Sequence, residues 1–415
     1  MQIWQAAPRN EIAQMLYAQA AAKSVIKTIT VDQVLHSARK KTGLEDFGEN
    51  DFLPRLEVLL ESINHEARLN PLGFSSTGIG MPVDMLRGRL ELVEAQKQHP
   101  DVFTTPITRP IFIVGGSRTG TTLLQRLLAC DARLATPLLW QMSSTKTFAF
   151  GTDEQRSMQH NRADTGQKML HMLNPSMKAV HYSEADGPEE CVLMMGTDLR
   201  NLALMSCINT PAYSTLLASE DFREAYSRHK QQLQLLDYRV RIQREGIAPR
   251  WLLKAPYHLP TLEALASIYP DACIVHTHRN VVETVTSTCS LYSVFRGTFS
   301  DEVNPLEVGQ QQTKMLSAWF NGTVVARNRL KQSGVTFFDA HYTDLVANPL
   351  SMAEKILQFA GLEPTPEGRA AMQEWLATNG QGKHGSHKYM PEEFGLDTGE
   401  IKALTEPYRQ AFGVE

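Results

Sequence analysis

Glycine, hydroxyl and guanidinium side chains are concentrated between residues 115 and 122, which read Gly-Gly-Ser-Arg-Thr-Gly-Thr-Thr. An apolar, mostly β-branched run precedes this stretch and leucines follow it at helical spacing, which predicts a strand, a turn and a helix. Such a turn presents several backbone N–H groups and the positive end of a helix to a phosphate. We therefore predict a phosphate-binding loop, although an ordinary turn of small residues has the same pattern. The candidate ligand-binding residues are Gly116, Ser117, Arg118, Thr119, Gly120, Thr121 and Thr122.

This loop differs in one position from the lysine-containing loops that bind ATP with magnesium. Gly115 and Gly120 have the Walker A spacing, but Thr121 stands where that pattern has lysine. The cation is instead Arg118, inside the turn. The loop therefore favours a ligand with one phosphate that carries a transferable group.

A second cation follows the predicted strand at residues 272–277. Arg279 leaves the end of that strand, and Ser287 lies two turns into the next predicted helix. A guanidinium and a hydroxyl at this spacing can converge on one anion. The alternative is a capping arginine followed by an ordinary helical serine.

A third polar group follows the predicted strand at residues 251–253. Lys254 lies at the end of this strand, Pro256 turns the chain, and His258 comes next. The carboxyl ends of parallel strands share one edge of a sheet, so we expect Lys254 and His258 to lie near the loop. A histidine before a helix is also often a cap or a packed surface residue.

The loop and the two strand ends resemble those of the sulfotransferases that use 3′-phosphoadenosine 5′-phosphosulfate (PAPS). The resemblance covers residues 110 to 361 and includes Tyr342 and Asp344, which match a Tyr-x-Asp-Leu pattern after the last predicted strand. It implies that the loop holds the 5′-phosphosulfate and that Arg279 and Ser287 hold the 3′-phosphate. PAPS would then be the sulfuryl donor, 3′-phosphoadenosine 5′-phosphate (PAP) the product, and no metal would be needed.

The resemblance also implies catalytic residues, with one departure from the pattern. Cytosolic sulfotransferases read Lys-Thr-His-Leu-Pro where this chain has two more residues between Lys254 and His258. By this resemblance Arg118 and Lys254 stabilise the transferring group, and His258 is the general base. Some branches use a glutamate after the loop, but Gln141 stands there in this chain and cannot act as a base.

Two further segments are candidates for binding. His181, Glu189 and Glu190 surround a predicted helix start and are candidates for contacting the acceptor. His181 and Glu190 are also alternative candidates for the general base. The alternative for the two glutamates is compensation of the helix dipole. Lys383, His384 and Gly385 loosely resemble a late Arg-Lys-Gly segment that closes over the 3′-phosphate, but they also read as a solvated loop. His384 and His387 lack a nearby acidic or cysteine partner, so we predict no metal there.

Composition limits the class of protein. The chain has 415 residues, of which 42% are hydrophobic, as is typical of a globular protein. Its net charge of −4 excludes an overall positive potential that would bind nucleic acid. Five scattered cysteines without a C-x-x-C pair predict reduced thiols and a cytoplasmic location. We expect no signal peptide and no membrane span. The expected partner is a small-molecule, glycan or lipid acceptor, and homo-oligomerisation is left open.

Strands that alternate with helices predict a three-layer α/β fold, in which helices flank a parallel sheet of the P-loop type. We predict a helical N-terminal domain over residues 1–105 and a P-loop sulfotransferase domain over residues 106–415. Residues 186–205 are predicted to form one helix. Two alternative functions are a P-loop small-molecule kinase and an inactive nucleotide-binding protein.

Overall fold

A five-stranded parallel sheet forms the centre of the molecule. The structure is a computed structural model that describes residues 3–23, 28–379 and 389–415. The strand order is β2-β3-β1-β4-β5, so β1, which leads into the glycine-rich loop, lies in the middle. The strands are β1 (Ile111–Gly115), β2 (Leu134–Ala135), β3 (Arg250–Lys254), β4 (Cys273–His278) and β5 (Phe337–His341).

Alternate residues of β1 enter two different cores. Phe112 and Val114 belong to the larger cluster of buried residues, whereas Ile111 and Ile113 belong to a smaller cluster on the opposite face. A strand that is buried on both faces reads as a continuous apolar run, which explains why the sequence predicts it so clearly. Two cores on the two faces of one sheet confirm the predicted three-layer α/β fold.

Helices surround this sheet. The helix Thr121–Leu128, which directly follows the loop, buries its leucines against the smaller core. The α-helices of six or more residues are Glu11–Lys23, Val31–Thr42, Leu53–His65, Gly80–Gln98, Thr121–Leu128, Thr145–Phe150, Asp153–Leu173, Pro211–Leu217, Arg223–Gln243, Leu262–Ile268, Val281–Phe299, Pro305–Gln332, Tyr342–Ala347, Pro349–Phe359, Pro366–Thr378, Thr398–Leu404 and Glu406–Phe412. None of the helices in the described residues is both long and apolar enough to span a bilayer.

The N-terminal region is helical, as predicted. Many of its buried residues, Leu56 and Leu86 among them, belong to the same cluster as Phe112 and Val114 of the central strand. The N-terminal helices therefore pack directly onto the layer that covers one face of the sheet. The division of the chain into two domains stays a prediction.

The prediction of one helix over residues 186–205 is wrong. The chain there forms only short helical pieces, Val192–Met195, Gly196–Asp198 and Leu204–Cys207, and Leu199 has a left-handed backbone with φ of 57°. The cause is Asp198, whose fully buried carboxylate forms ion pairs with the nearby Arg200 and with arginines from three distant helices. The distant partners are Arg55, Arg89 and Arg228. Because a buried carboxylate requires such partners, the chain bends to bring Asp198 to them.

Candidate active site

The glycine-rich loop has a backbone shape that side chains would obstruct. Gly120 has a φ of 92°, and a Cβ atom there would lie 2.8 Å from Cδ2 of Leu345. A Cβ atom on Gly116 would lie 3.0 Å from Cγ2 of Thr284. Arg118 also has a positive φ of 67°, which is unusual for a residue with a side chain. The loop thus packs closely against its neighbours at the start of the helix Thr121–Leu128, and side chains at Gly116 and Gly120 would press on them.

Thr119 ties the loop to the neighbouring strand. Its hydroxyl donates to the carbonyl oxygen of Gly116 at 2.7 Å and lies 2.6 Å from the hydroxyl of Thr277 in β4. Both threonines are almost fully buried. Thr119 therefore holds the turn closed from behind, so its side chain is structural and does not face the ligand side.

Arg118 and Arg279 lie at the mouth of the loop and are linked through its backbone. Nη1 of Arg279 donates to the carbonyl oxygen of Arg118 at 2.9 Å, and Arg118 itself donates to the carbonyl oxygen of Val180 at 2.9 Å. The guanidinium of Arg279 also pairs with Glu283 and lies 4.5 Å from the centre of the Tyr342 ring. These contacts place two cations beside the backbone of the glycine-rich loop.

Lys254 and Glu190 form an ion pair next to the loop. The Nζ atom of Lys254 lies 2.8 Å from Oε1 of Glu190 and 3.4 Å from the hydroxyl oxygen of Thr122. Lys254 is 1% exposed, whereas the side chain of Glu190 is 14% exposed. A backbone hydrogen bond from Cys191 to the carbonyl of Lys254, at 3.0 Å, holds the Glu190 segment against the end of β3.

Glu189 belongs to a neighbouring ion pair with His181. Nε2 of His181 lies 3.6 Å from Oε1 of Glu189, and that oxygen also accepts the backbone N–H of Glu190 at 2.9 Å. Burial alone would raise the pKa of the Glu189 carboxyl, but the charges of His181 and Lys254 hold that pKa below its usual value. Glu189 is therefore an ionised group that fixes the position of the next residue, Glu190.

These groups open onto one cavity of about 440 Å³ at the carboxyl ends of the strands. This is where ligands bind in open α/β sheets. The predicted site residues that line the cavity are Ser117, Arg118, Gly120, Thr121, Thr122, His181, Glu190 and Arg279. The cavity is also lined by residues that the sequence analysis did not assign to the site, namely Leu123, Val180, Pro256, Leu291, Tyr342, Val346, Pro349, Leu376 and Asn379. Of these, Tyr342 had a signal in the sequence, since it begins the Tyr-x-Asp-Leu pattern.

The structure does not bring His258 to this cavity. His258 is fully buried, and its Nδ1 atom lies 2.7 Å from the hydroxyl of Tyr226, on the side of the core. Burial, reinforced by His229 and Lys254, holds the pKa of the His258 imidazole well below its usual value. The two extra residues after Lys254 form part of a tight turn over Pro256–Thr261, and this turn directs the imidazole inward.

Five other residues from the sequence analysis lie apart from the cavity or outside the described residues. Ser287 lies in the helix Val281–Phe299, is 2% exposed, and is not among the described residues that line the cavity. Gln141 accepts the backbone N–H of Leu138 at 3.1 Å and so caps a short helix. Lys383, His384 and Gly385 lie outside the described residues.

One group in the described residues has the donor set of a metal site. The ligand atoms of His276, His278 and Asp339 lie within 4.8 Å of one another. However, Arg327 pairs with Asp339, and its Nη1 lies 3.0 Å from Nδ1 of His276. The guanidinium already supplies positive charge to this cluster, so we interpret the group as an ion-pair network whose Asp339 side chain is 38% exposed.

Comparisons with known proteins agree with this geometry. A model described as the sulfotransferase family matches residues 110–367, more than half of the chain. The structure of the sulfotransferase STF1 from Mycobacterium tuberculosis superposes with a TM-score of 0.76 and 29% identity, over 91% of this chain and 99% of that protein. The sulfotransferase STF9 from Mycobacterium avium gives a TM-score of 0.79 and 25% identity, over 94% of this chain and 98% of that protein. A comparison with curated proteins found no match.

Proposed function

We propose that this chain, which belongs to the sulfotransferase family, transfers the sulfuryl group of PAPS to a hydroxyl or amine of its acceptor. The observation that carries the proposal is the convergence of the glycine-rich loop, two arginines and the Lys254–Glu190 pair on one cavity. The loop and the cations suit an anionic donor, and a carboxylate such as Glu190 can take the proton of a neutral nucleophile. A lysine that could bridge two terminal phosphates is absent from the loop, which disfavours a kinase.

The donor would bind by its two phosphate ends. Gly120, Thr121 and Thr122 line the cavity at the start of the helix Thr121–Leu128, where free backbone N–H groups would bind an anionic group. Arg118 stands beside this position and would pair with the 5′-phosphosulfate. Arg279 would pair with the 3′-phosphate, and we retain Ser287 and the segment Lys383–Gly385 as proposed contributors to the same end.

Glu190 is the proposed general base. Its carboxylate is partly exposed to the cavity and is held in place by Lys254 and by the hydrogen bond between its own backbone N–H and Glu189. It would accept the proton of the acceptor as the new bond from oxygen or nitrogen to sulfur forms. His181, which also lines the cavity, is the remaining candidate for contacting the acceptor.

Lys254 and Arg118 would stabilise the charge that develops during transfer. When bound, PAPS supplies a sulfuryl group that passes in line to the acceptor while its bond to the phosphate oxygen breaks, which leaves PAP. Positioning and charge stabilisation dominate such loose transfer reactions. Lys254 lies next to Thr122 at the loop and next to Glu190 on the acceptor side, so it can neutralise charge between the two.

The direct test is incubation of the purified protein with radiolabelled PAPS and a panel of alcohols, phenols, amines, glycans and lipid head groups. We expect label to move to at least one acceptor and PAP to accumulate. Phosphate transfer from ATP with magnesium, with none of the label moving from PAPS, would establish the kinase alternative. Tight binding of PAP without transfer to any acceptor would favour an inactive nucleotide-binding protein.

A further inference from the structure

A second cavity, of about 330 Å³, shares no lining residue with the first among the described residues. The helices Gly80–Gln98 and Asp153–Leu173 form two of its walls. Leu193 lines this cavity, and it follows Glu190 by only three residues. Three residues of chain span at most about 10 Å. The second cavity therefore lies against the same short segment of chain that carries the carboxylate of Glu190.

The walls of the second cavity are apolar and adaptable. Met81, Met85, Met142, Leu139 and Leu193 contribute to them, and Leu193 is 41% exposed. Methionine side chains adjust to ligands of varied shape. An exposed leucine beside several methionines favours an apolar ligand.

The charged residues at the rim neutralise one another. Arg87 pairs with Asp84 and Glu91, and Asp84 also pairs with Lys41. Glu91 accepts a further hydrogen bond from the hydroxyl of Ser144 at 2.7 Å. Because both signs are present and paired, the cavity favours a neutral ligand over an ionised one.

Two buried amides give the same cavity one donor and one acceptor. Oδ1 of Asn201 accepts the backbone N–H of Ala203 at 3.0 Å, and Nε2 of Gln232 donates to the hydroxyl of Thr197 at 3.1 Å. These bonds fix the orientation of both amides. Among the described residues, neither Nδ2 of Asn201 nor Oε1 of Gln232 has a hydrogen-bond partner. Both residues are at most 5% exposed, and both line the cavity.

We propose that this cavity binds the non-reacting part of the acceptor, and that this part is an apolar chain bearing a neutral amide or hydroxyl. The chain would contact the methionines, and its polar group would bond Asn201 and Gln232. This inference rests on the proposed function, because it assigns the ligand to the acceptor of Glu190. The acceptor class is then an amphiphilic alcohol or amine with a neutral amide or hydroxyl at a distance from the reacting group.

Gly166 offers a way to close the cavity without disturbing the fold. It lines the cavity, and a Cβ atom at this position would meet nothing within 4 Å. Gly166→Trp therefore adds a bulky ring at the rim, and Leu193→Asp adds an uncompensated charge there. Gly322 is the matched control, since a Cβ atom there also meets nothing within 4 Å and the residue lies in the distant helix Pro305–Gln332.

The probe is the acetamide of an eight-carbon amino alcohol, which has a reactive hydroxyl, an apolar chain and a neutral amide. Its binding is measured by calorimetry without donor, and its turnover with PAPS. We expect Gly166→Trp and Leu193→Asp to weaken probe binding by at least about tenfold, since several methylene contacts are lost. Gly322→Trp should bind the probe as the wild type does, and PAP affinity should be unchanged in all three variants.

Binding and turnover separate the two proposals. If the wild type binds the probe, the two rim variants do not, and no sulfuryl group moves to any acceptor, the ligand class stands and the proposed function fails. If other acceptors are sulfated but the probe fails to bind the wild type at millimolar concentration, the inference is wrong. Equal probe binding by the wild type and both rim variants would also overturn it.

Discussion

The Nζ atom of Lys254 and Oε1 of Glu190 lie 2.8 Å apart, although 64 residues separate them in the chain. The lysine is almost completely buried, and the carboxylate reaches the cavity. A buried ammonium is stable only with a partner, so this pair fixes Glu190 at the end of β3. Because of this contact, the ammonium group of Lys254 already has a partner before the acceptor binds.

Glu190→Gln should remove the proposed base and leave the donor site intact. We expect turnover to fall by about 10²- to 10⁴-fold, the usual contribution of general base catalysis. PAP affinity should change little, because the residue faces the acceptor. Steady-state turnover and calorimetric binding of PAP measure the two effects. Glu263→Gln, an exposed carboxylate on another helix, is the control, and comparable activity of the two variants would rule out Glu190 as the base.

Arg279→Ala should remove the preference for a 3′-phosphate. The lost charge-assisted contact corresponds to about 1.5–3 kcal/mol of binding free energy. Calorimetry with PAP and with its 3′-dephosphorylated form measures this preference, and thermal unfolding should show little change in stability. Arg329→Ala, which removes an exposed arginine elsewhere, should bind both nucleotides as the wild type does. A wild type that binds both nucleotides equally would contradict the assignment.

Gly120→Ala should cost more than the strain of its backbone alone. A non-glycine residue with this left-handed conformation costs about 1–2 kcal/mol, and the new Cβ atom would also press on Leu345 and Tyr342. Because the ring of Tyr342 lies against Arg279, we expect weaker PAP binding as well as a lower free energy of unfolding.

Gly246 separates backbone strain from crowding. Its φ of 91° is nearly that of Gly120, but a Cβ atom there would meet nothing within 4 Å. Gly246→Ala should therefore lower the unfolding free energy by the strain alone and leave PAP binding unchanged. If the two alanine variants have the same stability and the same PAP affinity, the close packing of the loop has no role in binding.

Local sequence patterns were sufficient to predict the sheet and the loop. Strand β1 is buried on both faces and its residues are apolar, and the glycines that follow have a backbone requirement that other residues meet poorly. These signals lie within a few neighbouring residues. The fold class and the position of the loop at the carboxyl end of β1 could therefore be predicted before the structure.

Long-range contacts decided the rest of the site. The Glu190 segment is held by a bridge between Leu138 and Pro188 and by the bond from Cys191 to Lys254, none of which leaves a local pattern. The break near Asp198 depends on arginines from three other elements. Sequence spacing could place Lys254 and His258 after one strand, but it could not show that the turn would direct one side chain to the loop and the other to the core.

His258 and His229 form a buried pair whose titration should be visible in the stability of the protein. Their ring centres are 6.2 Å apart. His258 shares one hydrogen bond with the buried Tyr226, and His229 shares one with the buried Tyr269. Burial lowers the pKa of His229 to about 3, and it holds the pKa of His258 well below its usual value. Both imidazoles are therefore neutral in the folded protein near neutral pH.

The unfolded chain protonates these histidines below about pH 6.5, whereas the folded chain does not. The unfolded state then binds more protons, so stability should fall as the pH decreases from about 6.5, by up to about 1.4 kcal/mol per pH unit for each histidine. Urea unfolding at a series of pH values measures this slope. His258→Asn removes one titrating ring and should reduce the slope. His258→Asn should also keep most of the turnover, and a loss of turnover beyond about hundredfold with an intact fold would make His258 the base instead of Glu190.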